Sequence, residues 1–450
     1  MLKFTVEDVK KALGIEDNKV NTDCVTGVSI DSRNIKDGMM FVAIKGERVD
    51  GHDYIDASLE SGASCVLSEK NKENDKVLAV KDSPLALGVV ARAYKEKYNV
   101  PTVSVTGSVG KTSTKDMISS VMGCLGPCLK TEGNFNNELG LPLTCFNLNE
   151  THKSAVLEMG MSAFGEIEYL VGIAKPDVAV ITNIGMSHIE NLGSREGILK
   201  AKMEITKGFS KDNLLIVNND DDMLSSIDKN TDYKILTYGI DKKSDYMATD
   251  IENLGLLGVR FMAHTPKDSF LVTLSVPGIH NVYNALSAIA VGEWFNIPRE
   301  KIQDAIKNTC LTKMRLTITD GNGITLINDC YNASPDSIKA SLNVLKTANG
   351  RKIAVLGDVL ELGEYSRAAH ESIGKMIKDR ADVAIFAGRE QKYGYEMAIK
   401  DNIEAYYFKT TDEARDFTKD FVKSGDTVLC KASRGMHFEK ICDAIGEKMK

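Results

Sequence analysis

Residues 103–114 read VSVTGSVGKTST, and this stretch decides how the chain is organised. Gly110, Lys111 and Thr112 supply the end of a phosphate-binding P-loop, G-x-x-x-x-G-K-[ST], while Val105 stands where the first glycine belongs. A β-branched strand pattern precedes the loop and a helical pattern follows it, so the glycines are predicted at a strand-to-helix turn. Such a turn directs backbone N–H groups and a helix N-terminus at an anion. The alternative is an ordinary glycine turn with a solvated lysine.

The composition is that of a globular protein with several domains. Its 450 residues allow roughly three domains, and 43% hydrophobic residues supply a sizeable core. The net charge of -7, from 56 basic and 63 acidic residues, creates no basic field for nucleic acid or an anionic membrane. No apolar run reaches the ~18 residues of a membrane span. We therefore expect neither a nucleic-acid partner nor insertion into a membrane.

The cysteines and the N-terminus indicate the compartment. Nine cysteines include no C-x-x-C pair, and their closest spacing is between Cys124 and Cys128, so they form neither a disulfide framework nor a zinc pattern. The start, MLKFTVEDVKKALG, mixes charges among apolar residues and does not resemble a signal peptide. Thr5, followed by Glu7 and Asp8, predicts a capped helix there. We expect a cytoplasmic protein.

Strand and helix patterns predict three α/β domains. Residues 1–98 alternate short strand-like runs with turns, which indicates a small α/β domain. Over 99–312, the apolar strands TVSVT, SAVLEM, DVAVIT and NLLIVN alternate with helical stretches, as in a doubly wound, mostly parallel sheet. Over 313–450 the runs GITLIND, KIAVLGD, VAIFAG and DTVLCKA repeat the alternation and predict a Rossmann-like domain. Ligands of such sheets bind at the carboxyl ends of the strands, where candidate residues are sought.

Two candidate metal ligands follow strands of the central domain. Glu158 ends the second strand, and a carboxylate beside a P-loop can complete a Mg²⁺ shell with the Thr112 hydroxyl and the phosphates. The alternative is a solvated acid at a strand end. His188 follows the third strand in TNIGMSHIE, where a lone histidine is either a ligand or a structural side chain.

Helical spacing separates two lysines in SREGILKAKMEIT. Lys200 has glutamates four residues to either side, which predicts a solvated, ion-paired face. Lys202 instead has Ile198, Leu199 and Ile205 as its helical neighbours, which places it on the apolar stripe. A desolvated lysine has a depressed pKa, and its neutral amine can react with CO₂ to give an anionic carbamate. The alternative is a lysine whose charged end extends to solvent.

Further candidates lie in three later segments. Asn281 and Asn284 share a face in PGIHNVYNALSAIA, where they either bind an adenine edge or cap the helix. In NDCYNASPDS, Ser334 and Pro335 predict a helix start. The same segment places the acid Asp329 at a strand end and Tyr331 and Asn332 on the following loop, where recognition residues are common. In CKASRGMHFE, the cations Lys431 and Arg434 either bind anionic groups or are surface charges.

Taken together, these stretches resemble the Mur ligase family, and the resemblance covers essentially the whole chain. The TG-x-x-GKT-x-TK form of the P-loop is that family's variant, so Val105 is expected, with Thr106 and Gly107 beginning the motif. TEGNFNNELGLPLT, TNIGMSHIENLGS and KAKMEI are similar to the family's central signatures. The resemblance implies three parts, a substrate-binding domain over 1–98, an ATP-binding domain over 99–312 and a ligase domain over 313–450.

The resemblance implies ATP and Mg²⁺ as cofactors and assigns roles to matching positions. Thr112 and Glu158 would bind one Mg²⁺, and His188 with carbamylated Lys202 a second; with Lys111 these residues form the implied catalytic set. The implied ATP contacts are Thr106, Gly107, Ser108, Val109, Gly110, Lys111, Thr112, Ser113, Asn281, Arg315 and Asp329. The implied substrate contacts are Ser32, Arg33, Lys45, Gly46, Asn134, Asn136, Asn137, Tyr331, Asn332, Lys431 and Arg434.

The N-terminal segment IDSRNIKDGMMFVAIKGERVDGHDYI resembles the uridine-diphosphate-binding module of one branch of the family. That branch joins D-alanyl-D-alanine to UDP-N-acetylmuramoyl-tripeptide through an acyl phosphate, in the synthesis of peptidoglycan. Two motifs depart from the family pattern: Asn328 and Ser334 replace an acid and an asparagine in D-D-x-Y-N-A-N-P, and Ala432 replaces a glycine in K-G-S-R-G. These changes leave the cationic and aromatic candidates in place.

Two other functions are compatible with parts of the pattern. A folylpolyglutamate synthase shares the ligase chemistry, but the uridine-type module and the YNASPDS loop favour the branch above. A nucleotide-dependent switch without ligation would explain the P-loop alone. The guanine-binding N-K-x-D motif is absent, however, and a switch gives no reason for Lys202 or a third α/β domain.

Overall fold

The computed structural model describes residues 4–16, 21–71 and 73–450. Within these ranges the helices are α1 (Val6–Leu13), α2 (Ile55–Glu60), α3 (Ser83–Glu96), α4 (Lys111–Met122), α5 (Gly140–Cys145), α6 (Glu166–Ala174), α7 (Ile189–Leu192), α8 (Arg195–Met203), α9 (His280–Trp294), α10 (Arg299–Lys307), α11 (Pro335–Lys346), α12 (Ser366–Met376), α13 (Gln391–Lys400), α14 (Thr411–Phe421) and α15 (Glu439–Lys448). The strands are β1 (Val28–Ser29), β2 (Met40–Val42), β3 (Cys65–Ser68), β4 (Val77–Ala79), β5 (Thr102–Thr106), β6 (Cys128–Lys130), β7 (Ser154–Glu158), β8 (Val178–Ile181), β9 (Leu214–Asn218), β10 (Lys234–Gly239), β11 (Tyr246–Asn253), β12 (Val259–His264), β13 (Ser269–Leu274), β14 (Thr317–Gly321), β15 (Ile324–Asn328), β16 (Arg351–Gly357), β17 (Val383–Ala387), β18 (Glu404–Phe408) and β19 (Asp426–Lys431).

The chain divides into two compact units. The first consists of Met1–Thr106, Met122–Val180 and Ala201–Leu214. The second consists of Gly107–Val121, Ile181–Lys200 and Leu215–Lys450.

The first unit begins with a small parallel sheet of order β1-β2-β3-β4. Buried Val9, Leu67 and Leu87, from α1, β3 and α3, share its core. The predicted N-terminal helix is confirmed: Asp8 N–H donates to Thr5 Oγ1 at 3.2 Å, and Thr5 N–H donates to the Asp8 carboxylate at 2.8 Å. The small α/β domain expected from short strands and turns is therefore present.

The same unit contains the strand that carries the P-loop. β5 pairs in parallel with β7, and β7 with β6. Every residue of β5, β7 and β8 is buried, including the polar Thr102, Ser104 and Thr106 of β5, as is typical of parallel strands covered on both faces. Asp177 at the start of β8 accepts a hydrogen bond from Thr102 N–H at 2.7 Å, which fixes the beginning of β5.

The second unit contains an antiparallel region that the sequence analysis did not foresee. β10 pairs in parallel with β11, whereas β12 pairs antiparallel with both β11 and β13. In β12 the buried Val259, Phe261 and Ala263 alternate with more exposed residues. This period of two was the signal for strands here.

The C-terminal part of the second unit has a six-stranded sheet of order β14-β15-β19-β16-β17-β18. β14 is antiparallel to β15 and the remaining pairs are parallel, so the predicted Rossmann-like fold is confirmed with one antiparallel edge. Apolar cores cover both faces of the sheet. Helix α11 begins as predicted, with Ser334 as its N-cap and proline in the first turn.

None of the nine cysteines, all within the described ranges, forms a disulfide bond, in agreement with the cysteine spacing. Among the described residues, no helix has both the length and the hydropathy needed to span a bilayer.

One close helix contact gives a test of the fold. A Cβ added at Gly88 in α3 would lie 2.0 Å from Tyr169 Oη in α6, and that hydroxyl donates to Pro84 O at 3.2 Å. We expect Gly88→Ala to displace the tyrosine and lower the free energy of unfolding by about 1–3 kcal/mol, measured by urea denaturation. Gly172→Ala, on α6 with no atom within 4 Å of the added Cβ, is the control and should be neutral or stabilising by up to about 1 kcal/mol. Equal effects of the two changes would contradict the packing described.

Candidate active site

The predicted P-loop lies between β5 and α4. Gly107 and Gly110 have φ values of 150° and 86°, and the helix begins at Lys111. A Cβ at Gly107 would lie 1.8 Å from Thr182 Oγ1, so only glycine fits at this position. Lys111 Nζ donates to Gly107 O at 2.7 Å, which folds the lysine over its own loop.

The segment that follows β8 fixes the shape of the loop. Ser108 N–H donates to Asn183 O at 3.1 Å, and Val109 N–H donates to Asn183 Oδ1 at 2.9 Å. Val109 O in turn accepts from Thr182 Oγ1 and Asn183 Nδ2, at 2.6 and 2.9 Å. Asn183 therefore accepts two hydrogen bonds from the loop and donates one to it. No role was predicted for Asn183, although it stands just after a strand, where candidate residues were sought.

Helix α4 is joined to α9 through a chain of buried polar groups. Thr114 Oγ1 donates to Asn284 Oδ1 at 2.9 Å, and Asn284 Nδ2 donates to Asn281 Oδ1 at 2.9 Å. Asn281 Nδ2 donates to Pro277 O at 2.8 Å. The alternative that these asparagines cap α9 is wrong, because its N-cap is Ile279 and has no side-chain cap. An adenine contact of Asn281 stays a prediction, and its amide groups are already paired within the protein.

Arg315 lies beside the P-loop threonine. Its Nη2 donates to Thr112 Oγ1 at 3.4 Å, and its guanidinium carbon lies 4.4 Å from the centre of the Tyr331 ring. Thr112 is 4% exposed, and the buried Nε of Arg315 has no hydrogen-bond partner. An unpaired buried donor is costly, so this Nε is a candidate donor to a ligand.

Asp329 and Lys431 form a buried ion pair behind this arginine. Lys431 Nζ donates to Asp329 Oδ2 at 2.6 Å, and Ser341 Oγ donates to the same oxygen at 2.5 Å. Leu316 N–H donates to Asp329 Oδ1 at 3.2 Å. Burial lowers the pKa of Lys431, while Asp329 acts in the opposite direction. Lys431 is 1% exposed, so the alternative that it is a surface charge is wrong.

The remaining candidates of this region lie around the pair. Asn332 contributes its carbonyl to Lys431 Nζ at 3.2 Å, and its side chain accepts from Ala333 N–H. Arg434 is exposed and lies 3.3 Å from Glu439 Oε2, as the surface-charge alternative allowed. Ligand contacts of Asp329, Tyr331, Asn332, Lys431 and Arg434 stay predictions.

His188 occupies a constrained position before α7. Its φ is 64°, in the left-handed region, and such a conformation costs a non-glycine residue about 1–3 kcal/mol. Its Nδ1 lies 3.9 Å from Glu361 Oε2. Both a structural role and a ligand role are compatible with this position.

Glu158 carries an unsatisfied carboxylate oxygen in the first unit. Its Oε1 accepts from Asn136 Nδ2 at 2.8 Å, while the buried Oε2 has no hydrogen-bond partner. The side chain is 3% exposed, so the alternative of a solvated acid is wrong. The loop that contains Asn134 and Asn137 exposes both side chains, and Asn137 Oδ1 accepts from Gly140 N–H at 2.9 Å.

The two lysines of α8 differ as predicted. Lys202 is 2% exposed, whereas Lys200 is exposed. Ammonium groups are rarely buried this far. The burial of Lys202 therefore favours a side chain that has lost its positive charge or is paired with an anionic group. Its carbamylation stays a prediction.

The uridine-type segment forms two exposed turns. In the first, Asp31 caps the turn that contains Ser32 and Arg33, and the Arg33 guanidinium holds the pKa of the Asp31 carboxyl at about 2. In the second, the backbones of Lys45 and Asp50 form an antiparallel β-bridge, and Gly46 N–H donates to Val49 O at 2.9 Å. The turns present the side chains that were predicted to bind substrate.

Thr106 and Ser113 are the remaining P-loop positions. Thr106 is fully buried and donates to Met159 O at 2.9 Å, while Ser113 is half-buried in the first turn of α4. Within the described ranges, no group of three or more His, Cys, Asp or Glu side chains is arranged to hold a metal ion.

The chain belongs to the Mur ligase family. Three family models match successive parts of it: residues 24–110 match the model for the Mur ligase family, catalytic domain; residues 105–292 match the Mur ligase middle domain; and residues 314–434 match the Mur ligase, glutamate ligase domain. The P-loop lies at the overlap of the first two. The resemblance inferred from the motifs is thereby confirmed.

The particular relatives point to one branch of this family. A UDP-N-acetylmuramoyl-tripeptide–D-alanyl-D-alanine ligase from Bacillus subtilis is 38% identical, over 98% of this chain and 98% of the relative. A crystal structure of MurF from Acinetobacter baumannii has a TM-score of 0.90 at 31% identity, covering 99% of each chain. A MurF ligase from Thermotoga maritima in complex with ADP has a TM-score of 0.83 at 29% identity, covering 94% of this chain and 97% of that one.

The sequence analysis overlooked His280, next to Asn281. Its ring lies against Gly278, whose φ is 98°, and burial lowers the pKa of His280 from 6.5 to about 4. Between these pH values the unfolded chain binds a proton that the folded chain does not, so stability falls as the pH drops through this window. We expect His280→Gln to reduce the loss of unfolding free energy between pH 7 and pH 5 by about 1–2 kcal/mol, measured by urea denaturation. His437→Asn, at an exposed histidine, is the control; an unchanged slope in the His280 variant would contradict the assignment.

Proposed function

We propose that this protein is an ATP-dependent, ADP-forming ligase that joins D-alanyl-D-alanine to UDP-N-acetylmuramoyl-tripeptide, giving the pentapeptide precursor of peptidoglycan. The structural observation that supports it most directly is the P-loop whose Thr112 hydroxyl accepts a hydrogen bond from Arg315. Full-length similarity to ligases of that name supports the choice of substrates. A cytoplasmic location follows from such substrates and is part of the proposal.

The reaction has two steps. A carboxylate oxygen of the tripeptide attacks the γ-phosphorus of ATP, the bond to the β-γ bridging oxygen breaks, and ADP and an acyl phosphate form. The neutral amine of the dipeptide then attacks the acyl carbon, the tetrahedral intermediate expels inorganic phosphate, and the nitrogen loses its proton. Two negatively charged reactants meet in the first step, so positioned cations are essential.

The P-loop and the residues around it would bind ATP. The N-terminus of α4 would face the phosphates, and Lys111 would exchange the Gly107 carbonyl for a phosphate oxygen. Arg315 would reach the phosphates from its place beside Thr112, with its unpaired Nε available. Asn281 and Asp329 are proposed next to adenine and ribose.

Magnesium is the proposed metal, and the residues fit it in part. The buried, unpaired Oε2 of Glu158 is an anionic oxygen of the kind that Mg²⁺ takes as a ligand. Thr112 and Glu158 are proposed for one ion, and His188 with carbamylated Lys202 for a second. When bound, the metal neutralises phosphate charge and aligns the oxygens for transfer.

The proposed substrate contacts lie in exposed turns and in the asparagine loop. The uridine diphosphate is proposed to bind at Ser32, Arg33, Lys45 and Gly46. The asparagines of residues 134–137 are proposed to bind the substrate near the reacting carboxylate. We also propose the division into domains at 98/99 and 312/313. The folylpolyglutamate synthase and the non-ligating switch are not favoured, because the full-length relatives carry the name of the ligase proposed above.

The activity can be tested by phosphate release from the purified protein. We expect release to require ATP, the UDP-muramoyl tripeptide and D-alanyl-D-alanine together, with a pentapeptide product detected by mass spectrometry. Tripeptides with lysine or diaminopimelate as third residue are both supplied, since the sequence does not distinguish them. Phosphate release without this product from either tripeptide would exclude the proposed function. Glutamate with a folate acceptor tests the alternative ligase.

Lys202 and Lys200 form a matched pair for testing the carbamate. We expect Lys202→Ala to lose activity by at least about a hundredfold, because an anionic metal ligand near transferring phosphate is lost, and to recover in part with added acetate. Lys200→Ala, two residues away and exposed, should retain most activity. ¹³C nuclear magnetic resonance with labelled bicarbonate should show a carbamate signal in the wild type and the Lys200 variant only. A signal that persists in the Lys202 variant would overturn the assignment.

A further inference from the structure

Thr312, in the segment between α10 and β14, is tied to the P-loop helix. Its backbone N–H and its hydroxyl both donate to Asp116 Oδ2, each at 2.8 Å. Asp116 lies in α4 and is 1% exposed, and its Oδ1 lies 3.3 Å from Nζ of the equally buried Lys115. A buried carboxylate is tolerated only when it is paired and hydrogen-bonded. Asp116 is therefore a fixed anchor for the segment.

A second anchor holds the other side of the same segment. Leu316 N–H donates to Asp329 Oδ1 at 3.2 Å, and Met314 O accepts from Tyr331 N–H at 3.2 Å. Met314 and Leu316 have φ values of 61° and 47°, in the left-handed region that such side chains rarely adopt. Backbone of this kind persists only where contacts on both sides impose it.

Arg315 lies between these anchors. It is flanked by the two left-handed residues, its guanidinium stacks on Tyr331, and its Nη2 reaches Thr112 Oγ1. The anchor on the Asp329 loop fixes the arginine relative to Tyr331. Among the hydrogen bonds described for residues 312–316, two contacts reach the helix that carries Thr112: the Arg315–Thr112 hydrogen bond itself, and the Asp116–Thr312 contact, which holds the backbone of the segment.

We propose that Asp116 is a positioning residue: by holding Thr312 on the P-loop helix, it sets the place of Arg315 beside Thr112. Asp116 has no contact with ATP in this proposal and acts through the arginine. The inference rests on the proposed function, because the position of Arg315 affects activity only if the P-loop binds a nucleotide.

Thr312→Val is the sharpest variant, since it keeps the β-branched shape and the backbone N–H and removes one donor to Asp116. We expect it to weaken binding of Mg·ATP and Mg·ADP to the full-length chain by about three- to tenfold, the usual net effect of losing one hydrogen bond, measured by titration calorimetry. The KM for ATP should rise in proportion, while the KM for the tripeptide stays unchanged. A general loss of folded enzyme would lower kcat and leave every KM as it was. Asp116→Asn also leaves the buried Lys115 without its carboxylate, so it is expected to lower the melting temperature as well.

The decisive measurement is a double-mutant cycle with Arg315→Ala. If Asp116 acts through Arg315, adding Thr312→Val to the arginine variant should change nucleotide affinity by less than about twofold. A full, additive effect in that background, or no effect of Thr312→Val alone, would overturn the inference. Thr309→Val is the control, because this buried threonine lies in the same segment and its hydroxyl donates to Ala305 O at the end of α10, not to Asp116. The nucleotide affinity of this variant should equal that of the wild type.

The same cycle distinguishes failure of the proposed nucleotide role of Arg315 from failure of the positioning inference alone. If Arg315→Ala binds nucleotide as tightly as the wild type, the arginine has no nucleotide role, and the positioning inference is overturned along with that role. If Arg315→Ala weakens binding and the Thr312 effect is additive, the nucleotide role stands and only the positioning inference fails.

Discussion

The contact between Gly107 and Thr182 is the constraint on which the rest of the site depends. The two residues are so close that any Cβ at position 107 would collide with the threonine hydroxyl. That proximity lets Thr182 and Asn183 hydrogen-bond to the loop, so the loop has its shape before an anion arrives. Preorganised N–H groups cost no rearrangement when charge develops on a phosphate. The first residue of α4, and with it the position of Thr112, follows from this fixed turn.

Several features could be predicted because they depend on local sequence. The strands β5, β7 and β8, the capping box at Thr5 and the N-cap at Ser334 each follow from near neighbours in the chain. The burial of Lys202 also followed from helical spacing alone. The antiparallel strands β11–β13 were overlooked because their alternation is weaker than the apolar runs of the parallel strands, and half of their residues face solvent.

The candidate residues were harder to interpret than the fold, since their partners are distant in sequence. For Asn281 the capping alternative is wrong, because its side chain is hydrogen-bonded to Pro277 and Asn284, and its adenine contact stays a prediction. Lys431 was weighed as a surface charge and is buried against Asp329, 102 residues away. Asn183 follows a strand of the central sheet and His280 precedes Asn281, yet no spacing rule distinguishes a polar side chain that supports a loop or is buried from one that is solvated. Polar pairing across a sheet is fixed by topology, which the chain pattern specifies only coarsely.

The buried pair of Lys431 and Asp329 limits how this part of the sequence can diverge. Removing one partner leaves an isolated charge in the interior, whereas replacing both with apolar residues of similar volume can be tolerated. The two positions are thus expected to change together or remain fixed. Ser341, which donates to the same oxygen, is bound by the same condition. The three residues come from different elements, yet they are expected to evolve as one unit. A substitution at one of them is expected to persist only together with substitutions at the other two.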